Sequence, residues 1–396
     1  MKRRHDVKRT DGTTTSRVVC AVLFLVFTFT WLYAFQADML AIAQHGLSGG
    51  KTHYDRTIGA VICTGVLYAL QLLVYALTRL SRRTHALTYL PSMLLLAFVS
   101  SVSYPFSWGA WSWAGSLLLV LWGVAVRMAR LVQTTSTYQQ STGLFSRQTW
   151  LNLLLMIAMM IGVAAVSNTH AVDHFKAHAE AALMRGDADE VLKVGERSLE
   201  TDEDLTMLRI FALSQKGELA ERLFEYAVKG SSDDMLPLAG SKSHLQLMPD
   251  TIIWDHFGVR PDSIIARMDS VHRARPFTIA QYLDSLQHDT LATTAFRDYK
   301  LTGMLIDRQI EAFTAALPHY YELCSDSLPR HYREALTLYQ QQVDTLFIYK
   351  DSLMLLRWHD FHQYDTIYPQ QSERLIRTEE DFGDTYWYYY FRQDYR

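Results

Sequence analysis

Only three cysteines occur in 396 residues, and their positions exclude more than they suggest. Cys20 and Cys63 lie inside long apolar runs, where a thiol serves as a small hydrophobe. Cys324 stands alone in the rest of the chain, so that part holds no internal disulfide. No Cys-x-x-Cys occurs, which removes zinc ribbons and thioredoxin-like redox motifs. A Walker loop, a Rossmann glycine pattern, His-Glu-x-x-His and an EF-hand loop are also missing. No cofactor is therefore expected, and no reaction is indicated. Beyond residue 168 no alternating pattern of useful length appears, which argues against a β-rich domain.

Charge is missing in five stretches. The apolar runs 18–36, 58–78, 86–104, 110–126 and 150–167 carry no Asp, Glu, Lys or Arg in their centres. A helix needs roughly 20 apolar residues to cross a ~30 Å hydrocarbon core. The runs predict a five-helix transmembrane bundle over 18–167, behind a basic segment at 1–17. Runs three and four are joined by "PFSWG", a tight hairpin. Trp31, Trp108, Trp111, Trp113 and Trp150 sit near run ends, where amphipathic rings favour the interface. The membrane partner is thus the lipid bilayer itself.

The small net charge of −3 conceals an asymmetry. Residues 1–167 hold 14 Lys and Arg against 4 Asp and Glu, and residues 168–396 hold 24 against 37. An acidic second part repels phosphate, so no nucleic-acid partner is expected. With the N-terminus in the cytoplasm, twelve basic residues lie on the inner side (Lys2 to Arg17, Arg79 to Arg83, Arg127 to Arg147) and only Lys51 and Arg56 on the outer. That is a positive-inside bias. Five crossings then place 168–396 outside, in the periplasm of a bacterium with the bundle in its inner membrane. Were 150–167 interfacial instead, the acidic part would be cytoplasmic. The first run has a longer apolar core than a cleaved signal peptide and is read as an anchor.

In the acidic part, "AEAALMRGDADEVLKVGERSL" and "FALSQKGELAERLFEY" share a rhythm: an apolar helix, a small polar turn with glycine, then a second apolar helix. The turns Gly186-Asp187 and Gly217-Glu218 are 31 residues apart. The stripes Val191, Leu192, Gly195, Ser198, Leu199 and Leu219, Ala220, Leu223, Phe224, Ala227, Val228 recur at helical spacing. This resembles tetratricopeptide repeats, whose period is 34. Val191 and Gly195 depart from the repeat's usual small and aromatic residues, and its closing proline is absent, so no ligand-binding positions transfer. "GSSDDMLPLAGSKS" reads as a loop, and Pro249, Gly258, Pro261 and Pro276 break the next segment into short pieces. Two further stripes are Ile310, Phe313, Leu317, Tyr320 and Tyr332, Ala335, Leu336, Tyr339, Val343. Ser327 reads as the N-cap of the latter, with Pro329 in its first turn. The fold class is all-α: the bundle, then a soluble TPR-like array of eight to ten helices over 168–396.

The blocks "RDYKLTGMLIDRQIEAFTAALPHYY", "SDSLPRHYREALTLY" and "GDTYWYYYF" resemble a family of uncharacterised bacterial multi-pass membrane proteins with a TPR-like C-terminal tail. The resemblance is best over 168–396. It implies the architecture and a bacterial inner-membrane setting, and it implies no activity.

Four features carry possible chemistry. "GLSGG" fits Gly-x-Ser-x-Gly, but Ser48 falls in a loop between membrane helices and no histidine lies in any span, so a flexible loop is the better reading. "HAVDHFKAH" sets His170, His174 and His178 on one helix face. His170 and His178 are about 12 Å apart, so a metal would need a pair with Asp173; His170, Asp173 and His174 are the candidate ligands, against a plain solvated helix. "WHDFH" at 358–362 brings only two ligands close. The terminal Tyr386, Trp387, Tyr388, Tyr389, Tyr390 and Phe391 are candidates for partner binding, since such rings are enriched at interfaces; the alternative is that they complete the last repeat.

The expected function is a membrane-anchored scaffold presenting a helical-repeat surface to an unidentified protein partner. The competing expectation is a membrane enzyme or transporter acting on lipid or envelope glycan, with the tail as cap or substrate guide. A cleft gathering Asp38, Gln71 and Tyr104 would favour it.

Overall fold

The computed structural model describes residues 11–80, 82–108, 112–135, 147–268, 277–323, 327–343 and 349–391, with side chains for all of these except 11–15, 82–83, 108, 112–114, 132–135 and 148. The basic residues Lys2 to Arg9, Trp111, Pro276 and Cys324 lie outside them. Among the described residues the chain is helical apart from one two-residue hairpin, Val102–Ser103 against Ser107–Trp108, antiparallel with Val102 opposite Trp108. It divides into two units, Met1–Ala177 and His178–Arg396.

In the first unit three helices, not five, are long and apolar enough to cross a membrane among the described residues: Ser16–Phe35, Arg56–Thr78 and Thr149–Val166. Only 22–28 % of each apolar window is buried within the protein. Val22, Val26, Val61, Ile62, Leu73, Leu154 and Ile161 all face outward, a solvent-averse collar far beyond what a soluble monomer shows. The inner faces pack through Cys20, Phe24, Ala60, Leu67, Met93, Leu96, Met156 and Met160.

The third expected span is shorter than its apolar run. Thr84 leaves helical geometry (φ −125°, ψ 20°) inside a 3₁₀ stretch at Arg82–Tyr89. The α-helix proper is Leu90–Val99, ten residues, with Pro91 in its first turn, where a missing N–H costs nothing. The fourth is a helix at Ser112–Thr135. It runs for 24 residues and carries Arg127 and Arg130 in its second half. Arg130 bonds the carbonyls of Thr78 and Leu77 at 2.8 and 2.6 Å, capping the preceding helix with a cation. Of "PFSWG", Pro105 and Phe106 lie in the turn of the small β-hairpin Val102–Ser103/Ser107–Trp108, and Gly109 lies outside the described residues.

Residues between the first two spans form more than a loop. The first helix passes through a π turn at Trp31–Phe35 and, after Gln36, a second helix runs Ala37–Ser48 with Ala37, Met39, Leu40, Ile42 and Ala43 buried. Gly49, at φ 60°, ends it. Asp55 caps the next helix, its Oδ1 accepting the N–H groups of Thr57 and Ile58 at 2.9 and 2.7 Å.

From Ala171 to Phe391 thirteen α-helical segments are described, more and shorter than the eight to ten expected. The turn glycines sit where the rhythm placed them: Gly186 and Gly217 have φ of 75° and 70°, a left-handed region open to glycine. The second helix of each hairpin is cut short. One spans Ala188–Lys193, because Val194 is extended and Gly195 has a positive φ. The other spans Leu219–Arg222 and tightens into a 3₁₀ turn before extended Tyr226. Gly195, Ser198 and Leu199 therefore leave the expected stripe, and Leu199 is 60 % exposed. The later stripes hold in part: Ile310, Phe313, Leu317, Tyr332, Ala335 and Leu336 are buried, while Tyr320, Tyr339 and Val343 are half-buried. Pro329, not Ser327, occupies the N-cap of the helix Arg330–Gln342 and so lies before its first turn.

The loop-like stretch after Lys229 is pinned from within the second unit. The wholly buried Glu180 carboxylate accepts the backbone N–H groups of Gln246, Leu247 and Met248 at 2.9, 2.6 and 2.8 Å.

Candidate functional site

The helix Arg330–Gln342 turns three residues of one face, Arg330, His331 and Glu334, into the interior. Glu334 is fully buried. Its Oε1 accepts from Arg330 Nε at 2.9 Å, and its Oε2 accepts from His331 Nδ1 at 2.9 Å and the Tyr386 N–H at 2.8 Å. The Glu334 carbonyl accepts from Trp387 Nε1 at 2.7 Å. His331 Nε2 accepts the N–H of Phe224 at 3.3 Å. With Nε2 accepting, Nδ1 is the ring nitrogen that donates to Glu334. A buried carboxylate stays charged only when such partners replace its water.

This cluster fixes the terminal helix Tyr386–Phe391. Tyr386, Trp387 and Tyr388 are 0–5 % exposed, so these three candidates for partner binding are interior groups. Trp387 stacks edge-on to Trp358 at 5.3 Å, and Phe391 lies 6.0 Å from Phe361. Arg308 bonds the carbonyls of Tyr389 and Tyr390 at 3.1 and 3.2 Å and stands 4.7 Å over the Tyr389 ring. Tyr389, Tyr390 and Phe391 are half-buried. The rings complete the helical stack, and those at its margin remain in reach of solvent.

Beside this helix lies a groove of about 500 Å³, bounded by 196–199, 224–228 and 379–389. Tyr226, Tyr388 and Tyr389 contribute aromatic lining, and Glu196, Glu379 and Asp381 contribute charge. Three further carboxylates there are paired: Glu225 with Arg222, Glu380 with Arg377 and Asp384 with Arg330, each at 2.9 Å. Asp381 accepts from Tyr364 Oη at 2.6 Å. Among the described residues Glu196 and Glu379 have no cationic partner, and Arg197 is the one cation of the lining. Beneath Tyr226 lies Arg209, 1 % exposed, its guanidinium 5.2 Å from the ring and bonded to the carbonyls of Val194 and Gly195 at 3.1 and 3.0 Å. Burial draws its pKa down to about 10. The groove is a shaped, net-negative recess with aromatic walls, suited to holding a cation-bearing segment.

The other expected residues are dispersed. His170 Nδ1 stands 3.7 Å from Asp173 Oδ1, while His174 Nε2 lies 2.9 Å from the Asn168 carbonyl and Asp173 Oδ2 accepts from Asn168 Nδ2 at 3.0 Å. Lys176, 4 % exposed, also approaches Asp173 at 3.7 Å and lies 4.1 Å over the Tyr104 ring. Among the described residues no three His, Cys, Asp or Glu are arranged to hold a metal. In "WHDFH", His362 packs on Trp358 at 4.3 Å. Ser48 ends a helix, its Oγ 3.4 Å from the His45 carbonyl, and it is not a loop residue. Asp38 faces Arg56 at 3.8 Å, Gln71 bonds Thr88 at 2.9 Å, and Tyr104 adjoins Asp173 and Lys176. The three have no common cleft.

Sequence reasoning overlooked Glu334, His331 and Arg209. Arg330 and Glu334, four apart on a helix, have the signature of a surface ion pair. Arg209 did carry a signal: it is the lone charge in the apolar run "MLRIFAL".

No curated protein and no solved structure matches the chain. The three blocks that carry the family resemblance, together with Glu334 and the terminal helix, all fall within residues 264–393, about a third of the chain, and that region matches a family described as a family of unknown function (DUF6057).

Proposed function

We propose that this protein is a membrane-anchored scaffold whose second unit offers the Tyr226–Tyr389 groove to a protein partner with a basic segment. The observation that carries the reading is the groove itself: aromatic walls, Glu196 and Glu379 without a cationic partner among the described residues, and a floor tied through Phe224 to the buried Glu334 cluster. Aromatic anchors supply contact area at low entropic cost, and uncompensated carboxylates select the charge of what docks. The finer elements of the proposal are an inner-membrane anchor built on the three long apolar helices, an odd number of crossings that carries the chain from a cytoplasmic N-terminus, set by the basic-residue bias, to a periplasmic second unit. The paired helices at Ala171–Lys193 and Glu203–Arg222 support a degenerate TPR-like array with truncated second helices.

The test is site-specific photo-crosslinking in native membranes from Leu199, an exposed residue of the groove wall. A captured partner should depend on charge: Glu196→Lys with Glu379→Lys should cut the yield about tenfold, on the scale of 1.4 kcal/mol. Capture that ignores both substitutions removes the docking role. A reporter fused after Arg396 tests the side of the membrane.

One observation speaks for the competing reading. An apolar recess of about 460 Å³ lies among the helices Leu90–Val99, Ser112–Thr135 and Arg147–Val166, lined by Met93, Phe98, Leu119, Met159 and Val163. Such a recess suits an acyl chain. Its polar lining among the described residues is Ser101 and Ser116, with no titratable side chain beside them, so the scaffold reading is preferred.

A further inference from the structure

The first unit contains a second recess of opposite character. The helix Asp11–Thr30 begins, and the helix Arg56–Thr78 ends, at the same end of the bundle. There a cavity of about 310 Å³ is lined by Arg17, Tyr68, Gln71, Tyr75, His85 and Tyr89 among its polar groups and, among the described residues, by no Asp or Glu. Gln71 is 2 % exposed. Its Nε2 donates to Thr88 Oγ1 at 2.9 Å, while its Oε1 has no hydrogen-bond partner. A buried amide oxygen without a donor is an exception that calls for an occupant. Arg17 is exposed at the rim, its guanidinium 4.4 Å over the Tyr75 ring. The ring orients the cation without neutralising it, since an aromatic face supplies no countercharge.

We infer that this cavity binds the phosphate-bearing polyol headgroup of an anionic lipid of the phosphatidylglycerol type. Phosphate meets the Arg17 fork, which is built for such oxygens. A headgroup hydroxyl donates to Gln71 Oε1, and the hydroxyls of Tyr68, Tyr75 and Tyr89 are available to the remaining acceptors. The depth is right: Gln71 lies seven residues before Thr78, about 10 Å of helix rise, where headgroup gives way to acyl chain. Val18, Ala21 and Leu72 form the apolar part of the lining, against which the first methylenes would lie. Lining the same end with Arg17, an unpaired buried acceptor and no carboxylate sets this pocket apart from the general attraction of basic loops to anionic membranes.

The full chain in neutral detergent should be titrated with phosphatidylglycerol, phosphatidylcholine and free glycerol phosphate, with occupancy read by native mass spectrometry. Phosphatidylglycerol should bind about tenfold more tightly than phosphatidylcholine, which shares the phosphate but sets a quaternary ammonium beside Arg17 and has no hydroxyl to donate to Gln71 Oε1. Arg17→Gln should remove that preference, and Ala21→Phe, which fills the cavity without altering charge, should weaken binding as much. Arg127→Gln, an exposed arginine outside the cavity, should change nothing. Equal affinity for the two lipids overturns the site, as does equal loss in the Arg17 and Arg127 variants, which would signal diffuse surface charge. Binding of free glycerol phosphate that lipid does not displace would make the occupant a solute and overturn the lipid assignment.

Discussion

At the scale of single residues, Glu334 shows how one side chain can organise a terminus. Its carboxylate joins Arg330, His331 and the backbone of Tyr386, and each of these is buried or nearly so. Removing one member of such a cluster strands the others away from water. Glu334→Ala should therefore destabilise the second unit by about 3–5 kcal/mol, whereas Glu373→Ala, on an exposed position of a neighbouring helix, should stay within about 0.5 kcal/mol. Thermal unfolding of both variants in detergent, followed by helix signal, decides this; equal midpoints would remove Glu334 from its central role. The terminal rings illustrate what a sequence conveys about such a place. Seven aromatics in the last thirteen residues announced a packing or docking role. Their division into interior Trp387 and marginal Tyr390 depends on Glu334, 52 residues upstream of Tyr386, and no local pattern encodes that distance.

At the scale of elements, periodicity and length were read well where one helix obeyed one rule. The runs 18–36, 58–78 and 150–167 became helices with nearly those limits, because uninterrupted apolar residues leave the backbone no alternative in hydrocarbon. The run 86–104 was legible as apolar but not as broken. Its 3₁₀ entry is held by tertiary bonds from other helices: Gln71 to Thr88, and the Ala86 N–H to Asn152 Oδ1 at 2.8 Å. The helix Ala37–Ser48 was missed because Gln, His and Gly dilute its apolar face over barely three turns. The long helices also make a directional prediction. Ile157 faces outward and Val163 inward on the same helix. Ile157→Lys should reduce membrane insertion by about 2.5–3.5 kcal/mol if that face meets lipid, while Ile157→Leu should be neutral. Glycosylation-tag insertion assays would separate them, and unimpaired insertion of the lysine variant would deny the outward face its lipid.

At the scale of the molecule, the first unit exposes apolar helix faces, and pH is the cleanest probe of the second. Burial drives the hydroxyls of Tyr282, Tyr299, Tyr332 and Tyr386 above the usual value of 10.0. Burial, with Asp351 nearby, pushes Tyr349 up to about 12. Below pH 10 both folded and unfolded chains keep these protons. Above it the unfolded chain releases them first, so the folded state loses stability as pH rises. Arg209 has the opposite sign, gaining between about 10 and its ordinary 12.5, but it is one group against five. Phenolate absorbance should therefore rise in a step that coincides with loss of helix, above about pH 10. Full phenolate amplitude reached with the helices intact would mean these rings are accessible. The Glu180 bonds to 246–248 bear on the same unit in another way. A stretch rich in Ser, Gly and Pro ordinarily serves as slack between rigid parts. Here any bending of it must expose a carboxylate and three amides together, so it behaves as a brace, and whatever flexing the second unit performs is diverted to other joints.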